Sequence, residues 1–234
     1  LWRRSDKLDQ LLAYVDAQRS GIEKLTRFTP NTNAVPWGAV VASEGPLRSF
    51  CNFATIPFNV AGAEIRKKLN EVREGHLFVF LNPNSSQALE QVARTRAQLR
   101  WAHDSDGLNR AIRDSIAMLL ELVPGSEGGL DRTLPGVRVV LVERPVQFAA
   151  YWTGDSAVFW PLESLPQVGL AGAPRVLMTG LASTNAREFF EEYAEQLTGS
   201  GSVVTLRQLL DLTSPVRDEE WLKTMERKFH ANAE

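Results

Sequence analysis

Few residues of this chain have types and spacing suited to chemistry. Asn82-Pro83-Asn84-Ser85-Ser86 sits where an apolar run gives way to a helical pattern. Helix N-termini present free N–H groups to anions, and ligands of α/β sheets favour the carboxyl ends of strands. Asn82, Asn84, Ser85 and Ser86 are therefore candidates to hold a phosphate, although plain helix capping explains Asn and Ser equally well. Arg144, at the end of VRVVLVER, and Tyr151 and Asp155, in FAAYWTGDSAVFWPL, complete the candidate ligand-binding set. Asp155 follows Gly154, a place where an acid commonly serves the turn itself. Cys51 has Arg48 near it in RSFCNF but no base to activate it, so it reads as a small buried thiol.

The three histidines, His76, His103 and His230, include no pair at a metal-ligand spacing, and neither metal nor cofactor is expected. His103 with Asp104 and Asp106 is the nearest approach to a cluster, but it lies between two helices, where caps are expected. His76 opens a strand and is expected at a sheet edge, and His230 on a solvated helix. No G-x-S-x-G, Walker or G-x-G-x-x-G motif is present. Arg66, Lys67, Lys68 and Arg73 form one basic helix face, and Arg94, Arg96 and Arg100 another. They lack interleaved aromatics and have Glu64, Glu71, Glu74 and Glu90 among them, so they read as solvated faces. With a net charge of −2, nucleic acid is not the expected partner.

The elements that must position these groups follow from hydrophobic pattern. Ser5 to Leu25 reads as a helix, and Leu8, Leu11, Val15 and Ile22 on it form a short coiled-coil-like seam. WGAVVAS from Trp37 is strand-like, Ala63 to Arg73 helical, and Gly75 a helix-ending glycine. HLFVFLNP has no alternation, which suits a strand buried on both faces. Helices are expected from Asn84-Ser85-Ser86 to about Trp101 and from Asp104 to Leu122. VRVVLVER then leads into two apolar runs around Thr153-Gly154-Asp155-Ser156, the pattern of a β-hairpin. Trp and Tyr dominate interface hot spots, so Trp152, if outward on that hairpin, is a contact candidate. RVLMTGL is a further strand, and Ser183 to Gln196 a helix with Phe189, Phe190 and Tyr193 inward. Gly199-Ser200-Gly201 reads as a hinge before two last helices, near Leu206 to Leu212 and Asp218 to His230. The fold expected is α/β, a mixed sheet covered by helices.

The 234 residues, 44% hydrophobic and 23% charged, suit a globular protein with a substantial core. The single cysteine excludes an internal disulfide framework and fits a reducing compartment, so the cytoplasm is the expected location. No run reaches the roughly 20 apolar residues of a membrane span. The chain opens on Leu1 rather than Met and is expected to be part of something longer. Leu1-Trp2-Arg3-Arg4 suits a cut within a helical linker, and also the cytoplasmic flank of a membrane helix upstream. Residues 1–28 are thus expected to be a helical arm, 37–198 an α/β domain and 202–234 a helical tail, with a polar linker from Thr29 to Pro36.

The order of a helix, GHLFVFLNPNS, long helices, GVRVVLVER, FAAYWTGDSAVFWPL, PRVLMTG and EFFEEYAEQL resembles a single unit of the phospholipase D-like fold, over roughly Trp37 to Leu197. The resemblance implies a hairpin bearing His-x-Lys-x4-Asp. The His attacks phosphorus, the Lys stabilises phosphoryl charge and the acid orients the His. Asp155 is the only acid here that ends such a motif. The His position is then Phe148 and the Lys position Ala150. A phenyl ring is no nucleophile, and a methyl group neutralises no oxyanion. The chain is similar to degenerate members with an aromatic and a small residue at those places.

The expected function is a non-catalytic regulatory, sensing or interaction module that binds a phosphorylated ligand or a protein partner. Homodimerisation is implied by the resemblance, and membrane contact is expected only through an upstream segment. Two alternatives stay open. One is a phosphodiesterase or nuclease using other residues, such as Asp155, Arg144 and His103. The other is a structural domain of a larger bacterial assembly.

Overall fold

The computed structural model describes residues 24–28, 37–98, 104–125, 129–146, 148–161, 175–179 and 185–230. Candidate interface residues Leu8, Leu11, Val15 and Ile22 lie outside them, as does His103. The elements, in chain order, are Lys24–Phe28 (β1), Trp37–Ala42 (α1), Arg48–Phe50 (β2), Thr55–Glu71 (α2), His76–Leu81 (β3), Ser86–Gln98 (α3) and Ser105–Leu122 (α4). They continue with Val137–Val142 (β4), Phe148–Trp152 (β5), Ser156–Pro161 (β6), Arg175–Thr179 (β7), Asn185–Gly199 (α5), Gly201–Val203 (β8), Leu206–Thr213 (α6) and Glu219–His230 (α7).

Eight strands form one mixed sheet in the order β1-β7-β6-β5-β2-β3-β4-β8. The pairs β2–β3 and β3–β4 are parallel, and the others are antiparallel. The parallel strands are joined through helices, as parallel connections require. Every residue of β3 is buried, as its unbroken apolar run predicts. Phe78 and Phe80 face a large core under α1, α2, α4, α6 and α7, with Ile65, Leu108, Ile112 and Leu119. Leu77 and Val79 face a smaller core closed by Phe190 and Ala194 of α5. The mixed sheet covered by helices is therefore the observed fold.

Several expectations are corrected. WGAVVAS holds a short helix, α1, with Val40 and Val41 buried, because tertiary packing overrides the strand propensity of its valines. Leu25 lies in β1, paired with Met178 of β7, so the expected arm helix does not extend through it. Gly75 has φ +86 but does not end the helix; α2 stops at Glu71, and Val72 is already extended. Gly201 is the first residue of edge strand β8, paired with Val142, where a hinge was expected. Within the expected C-terminal helical tail, Leu206, Leu209, Leu210 and Phe229 join the large core. On α5, Phe190 is buried but Phe189 is exposed.

Candidate functional site

At the carboxyl end of β3 the Asn82–Ser86 loop is knitted into a cap. The Asn84 N–H donates to Asn82 Oδ1 at 2.9 Å, an Asx turn, and the Leu89 N–H donates to the Ser85 carbonyl, which starts α3. Asn82 Nδ2 donates to Glu143 Oε1 at 2.6 Å. From α4, Asn109 Nδ2 donates to the Pro83 carbonyl, and Arg113 donates to Asn109 Oδ1, Asn84 Oδ1 and the Leu212 carbonyl. The Asn82 amide and Arg113, the nearest helical cation, are thus engaged with protein acceptors. Arg144 is exposed just beyond β4, at the same end of the sheet.

The structure does not gather the other candidates here. Tyr151 is buried in the large core, where its hydroxyl lies 3.4 Å from Cys51 Sγ. Burial pushes the Cys51 thiol up to about 11, against the pull of hydrogen bonds from Tyr151 and Ser49. At neutral pH it is a protonated, enclosed thiol, as its lack of a base suggested. Asp155 lies in the β5–β6 turn. Because β5 runs antiparallel to β2, with Arg48 opposite Trp152, that turn is at the amino ends of the parallel strands. It lies seven positions beyond Phe148, which opens β5, so the two stand at opposite ends of that strand. Trp152 is corrected as a contact candidate. It is 3% exposed, with its ring 4.3 Å from Phe50 and 5.2 Å from Phe190, because α5 covers that face of the hairpin.

At the amino ends of these strands lies a cleft of about 590 Å³ between the strands and α5. Strand register builds its floor. Arg48 pairs with Leu77, and Leu77 pairs with Arg138, so two arginines flank one leucine across three adjacent strands. Arg48 shares its face with Phe50, and Arg138 shares its face with Val140, both in the α5-side core. Glu191, Glu195 and Thr198 of α5 line the opposite wall. Arg48 donates to Glu191 Oε2 in an ion pair. A small adjoining hollow adds Arg187, also on α5, beside Trp152 and Gly154. Burial lowers the pKa of Arg48, and the charges of Arg187 and Arg138 lower it further.

His76, expected at an edge, is instead 2% exposed on a central strand. The Leu47 N–H donates to Nδ1 at 2.9 Å, so Nε2 carries the proton, which it donates to the Val72 carbonyl. Burial holds it below the usual histidine range. It lines the cleft, but with both ring nitrogens engaged it is a neutral tie between elements rather than a free base. Lys68, expected on a solvated face, is buried and donates to the Ser43 carbonyl just past α1. Among the described residues no group of three acids, histidines or cysteines is placed to hold a metal. Among them, too, no helix is long and apolar enough to cross a membrane.

Sequence reasoning missed the arginine cleft. In the sequence Arg48 stands out only as a neighbour of Cys51, and Arg138 lies within an apolar run. A clue was present: Arg138 is the one charged residue inside VRVVLV. No protein-family model and no curated protein matches the chain. Among solved structures it is similar to phosphatidylserine synthase of Haemophilus influenzae Rd KW20, at 10% identity and a TM-score of 0.49. That match covers 87% of this chain and 44% of the other, so the chain spans less than half of that structure's length.

Proposed function

We propose that this chain is a non-catalytic module on a phospholipase D-like unit, and that it binds a phosphorylated ligand. The observation that carries the non-catalytic reading is Ala150. If Asp155 ends the motif of that superfamily, Ala150 occupies the lysine position. Its side chain is fully buried with Phe50, Trp152 and Ala157 on the α5 side of the sheet. A cation there would lie in an apolar core, at a desolvation cost of several kcal/mol per ion. Phe148, at the nucleophile position, has no atom able to attack phosphorus. Loss of nucleophile and oxyanion stabiliser together removes the chemistry and leaves the fold free for binding.

The test pairs two measurements on the full chain. In the first, bis-p-nitrophenyl phosphate is incubated with the protein and p-nitrophenol is followed. The expected result is no release above the blank. Turnover that co-elutes with the protein through successive columns would overturn the non-catalytic reading. In the second, thermal unfolding is recorded with nucleotides, cyclic dinucleotides and phospholipid head groups. A ligand at about 100 times its Kd adds roughly 2.7 kcal/mol, a Tm rise of several degrees at this length. A flat panel at millimolar concentrations would overturn the binding reading.

A further inference from the structure

The geometry points to the arginine-flanked cleft at the amino ends of β2, β3 and β4 as the place where this chain holds the phosphate of a small phosphorylated ligand, with Glu191 occupying the anion's position until it arrives. This inference rests on the proposed binding role and assigns its site, at the end of the sheet opposite the Asn82–Ser86 loop.

Three observations converge. The first is placement. Arg48 and Arg138 are two strand spacings apart, roughly 10 Å between backbones, on the same face and on either side of Leu77. Arg187 of α5 stands close enough to depress Arg48 electrostatically, as Arg138 does. Arginine is the side chain best matched to phosphate, because its planar fork gives two parallel charge-assisted hydrogen bonds. The second is charge. Three arginines face two carboxylates, Glu191 and Glu195, an excess of one positive charge in a partly desolvated site. Glu191 neutralises Arg48. Neither Arg138 nor Arg187 has an ion pair or hydrogen bond among the described residues. Like charges gathered around the cleft and its adjoining hollow are unfavourable unless an anion joins them. The third is room. About 590 Å³ falls within the range of small-ligand sites, and its lining mixes Leu77, Ala194 and Val203 with Thr133 and Thr198.

The opposite end of the sheet offers less. Arg113 has its donors on Asn109, Asn84 and the Leu212 carbonyl, and Asn82 donates to the Glu143 carboxylate. A phosphate there would meet the Glu143 carboxylate, with Arg113 and the Asn82 and Asn109 amides already engaged.

The probes are inorganic pyrophosphate, AMP and glycerol 3-phosphate. They carry the same phosphate chemistry and distinguish a polyphosphate, a nucleotide and a lipid head group as its source. Binding to the full chain is measured by isothermal titration for the wild type, Arg138→Glu, Glu191→Gln and Ser86→Glu. Arg138 and Ser86 are exposed, so their variants are expected to fold, and circular dichroism checks this. Arg138→Glu is expected to weaken binding of the preferred probe by about tenfold or more, the loss of one charge-assisted contact. Glu191→Gln is expected to tighten it several-fold, because the phosphate no longer displaces a carboxylate from Arg48. Ser86→Glu is expected to leave it unchanged. Binding that is indifferent to Arg138→Glu would overturn the cleft assignment while leaving the binding role intact. Absence of binding for every probe, in the wild type and in Glu191→Gln alike, would overturn both.

Discussion

His76 shows how far a single residue departs from its sequence-based expectation. It opens an apolar run, which suggests an edge, yet its ring joins the start of β2, the end of α2 and the head of β3. Only the neutral ring serves, because a proton on Nδ1 would oppose the Leu47 N–H. Burial holds the pKa below the ordinary 6.5, Lys68 adds to that effect, and the Val72 carbonyl opposes it. The folded chain therefore binds this proton less readily than the unfolded chain. The resulting stability is fully present above about pH 6.5, and is lost as pH falls from there through the lower folded value. His76→Gln keeps a neutral donor and acceptor but does not titrate. The difference in urea midpoint between wild type and His76→Gln should be flat from pH 7 to 8 and shift against the wild type below 6.5, by at most about 1.4 kcal/mol per pH unit. A difference that stays constant down to pH 5 would show that the ring does not titrate with folding. Trp152 makes the same point about legibility. Alternation along FAAYW shows that neighbouring side chains take opposite faces, but not that α5 covers the second face.

At the scale of elements, long periodic segments were legible and short ones were not. β3, α4 and the β5–β6 hairpin follow their patterns closely. β2 and β8 are three residues each, too short for any period, and exist only because neighbouring strands pair with them. Since β2 carries Arg48, the cleft could not be seen without it; the Arg48–Leu77–Arg138 row is a property of register, which no single segment encodes. Gly136, just before β4, shows how tightly these joints are made. Its φ is +66, and a Cβ would lie 1.8 Å from the Arg73 carbonyl oxygen. Gly129 also has positive φ, but a Cβ there meets nothing within 4 Å. Gly129→Ala should therefore cost only the conformational penalty, about 1–2 kcal/mol, while Gly136→Ala adds a backbone clash and costs clearly more. Urea denaturation of the two variants checks the order. Equal losses would mean that the α2–β3 connection yields without cost.

At the scale of the whole molecule, the polar, glycine-marked break at Gly199-Ser200-Gly201 suggests a boundary, and packing erases it. Past it, β8 pairs with β4 and Thr205 caps α6 through a reciprocal bond with Gln208. Arg217 pairs with Asp114, and Lys228 donates to the Leu120 and Glu121 carbonyls of α4. Val204, Leu206, Leu209, Leu210, Leu212, Met225 and Phe229 are all buried in the large core. At roughly 1.5–3 kcal/mol for each large apolar side chain, these seven contribute about 10–20 kcal/mol, comparable to or above the whole net stability of an ordinary domain. Deleting residues 201–234 should therefore abolish cooperative folding rather than trim an appendage. The full chain is expected to lose near- and far-ultraviolet circular dichroism in one coincident thermal transition. The truncated chain should show little near-ultraviolet signal and no sharp transition. A truncated chain that melts cooperatively within a few degrees of the full one would make residues 201–234 dispensable, and would place the stabilising core between the sheet and α2 and α4 alone.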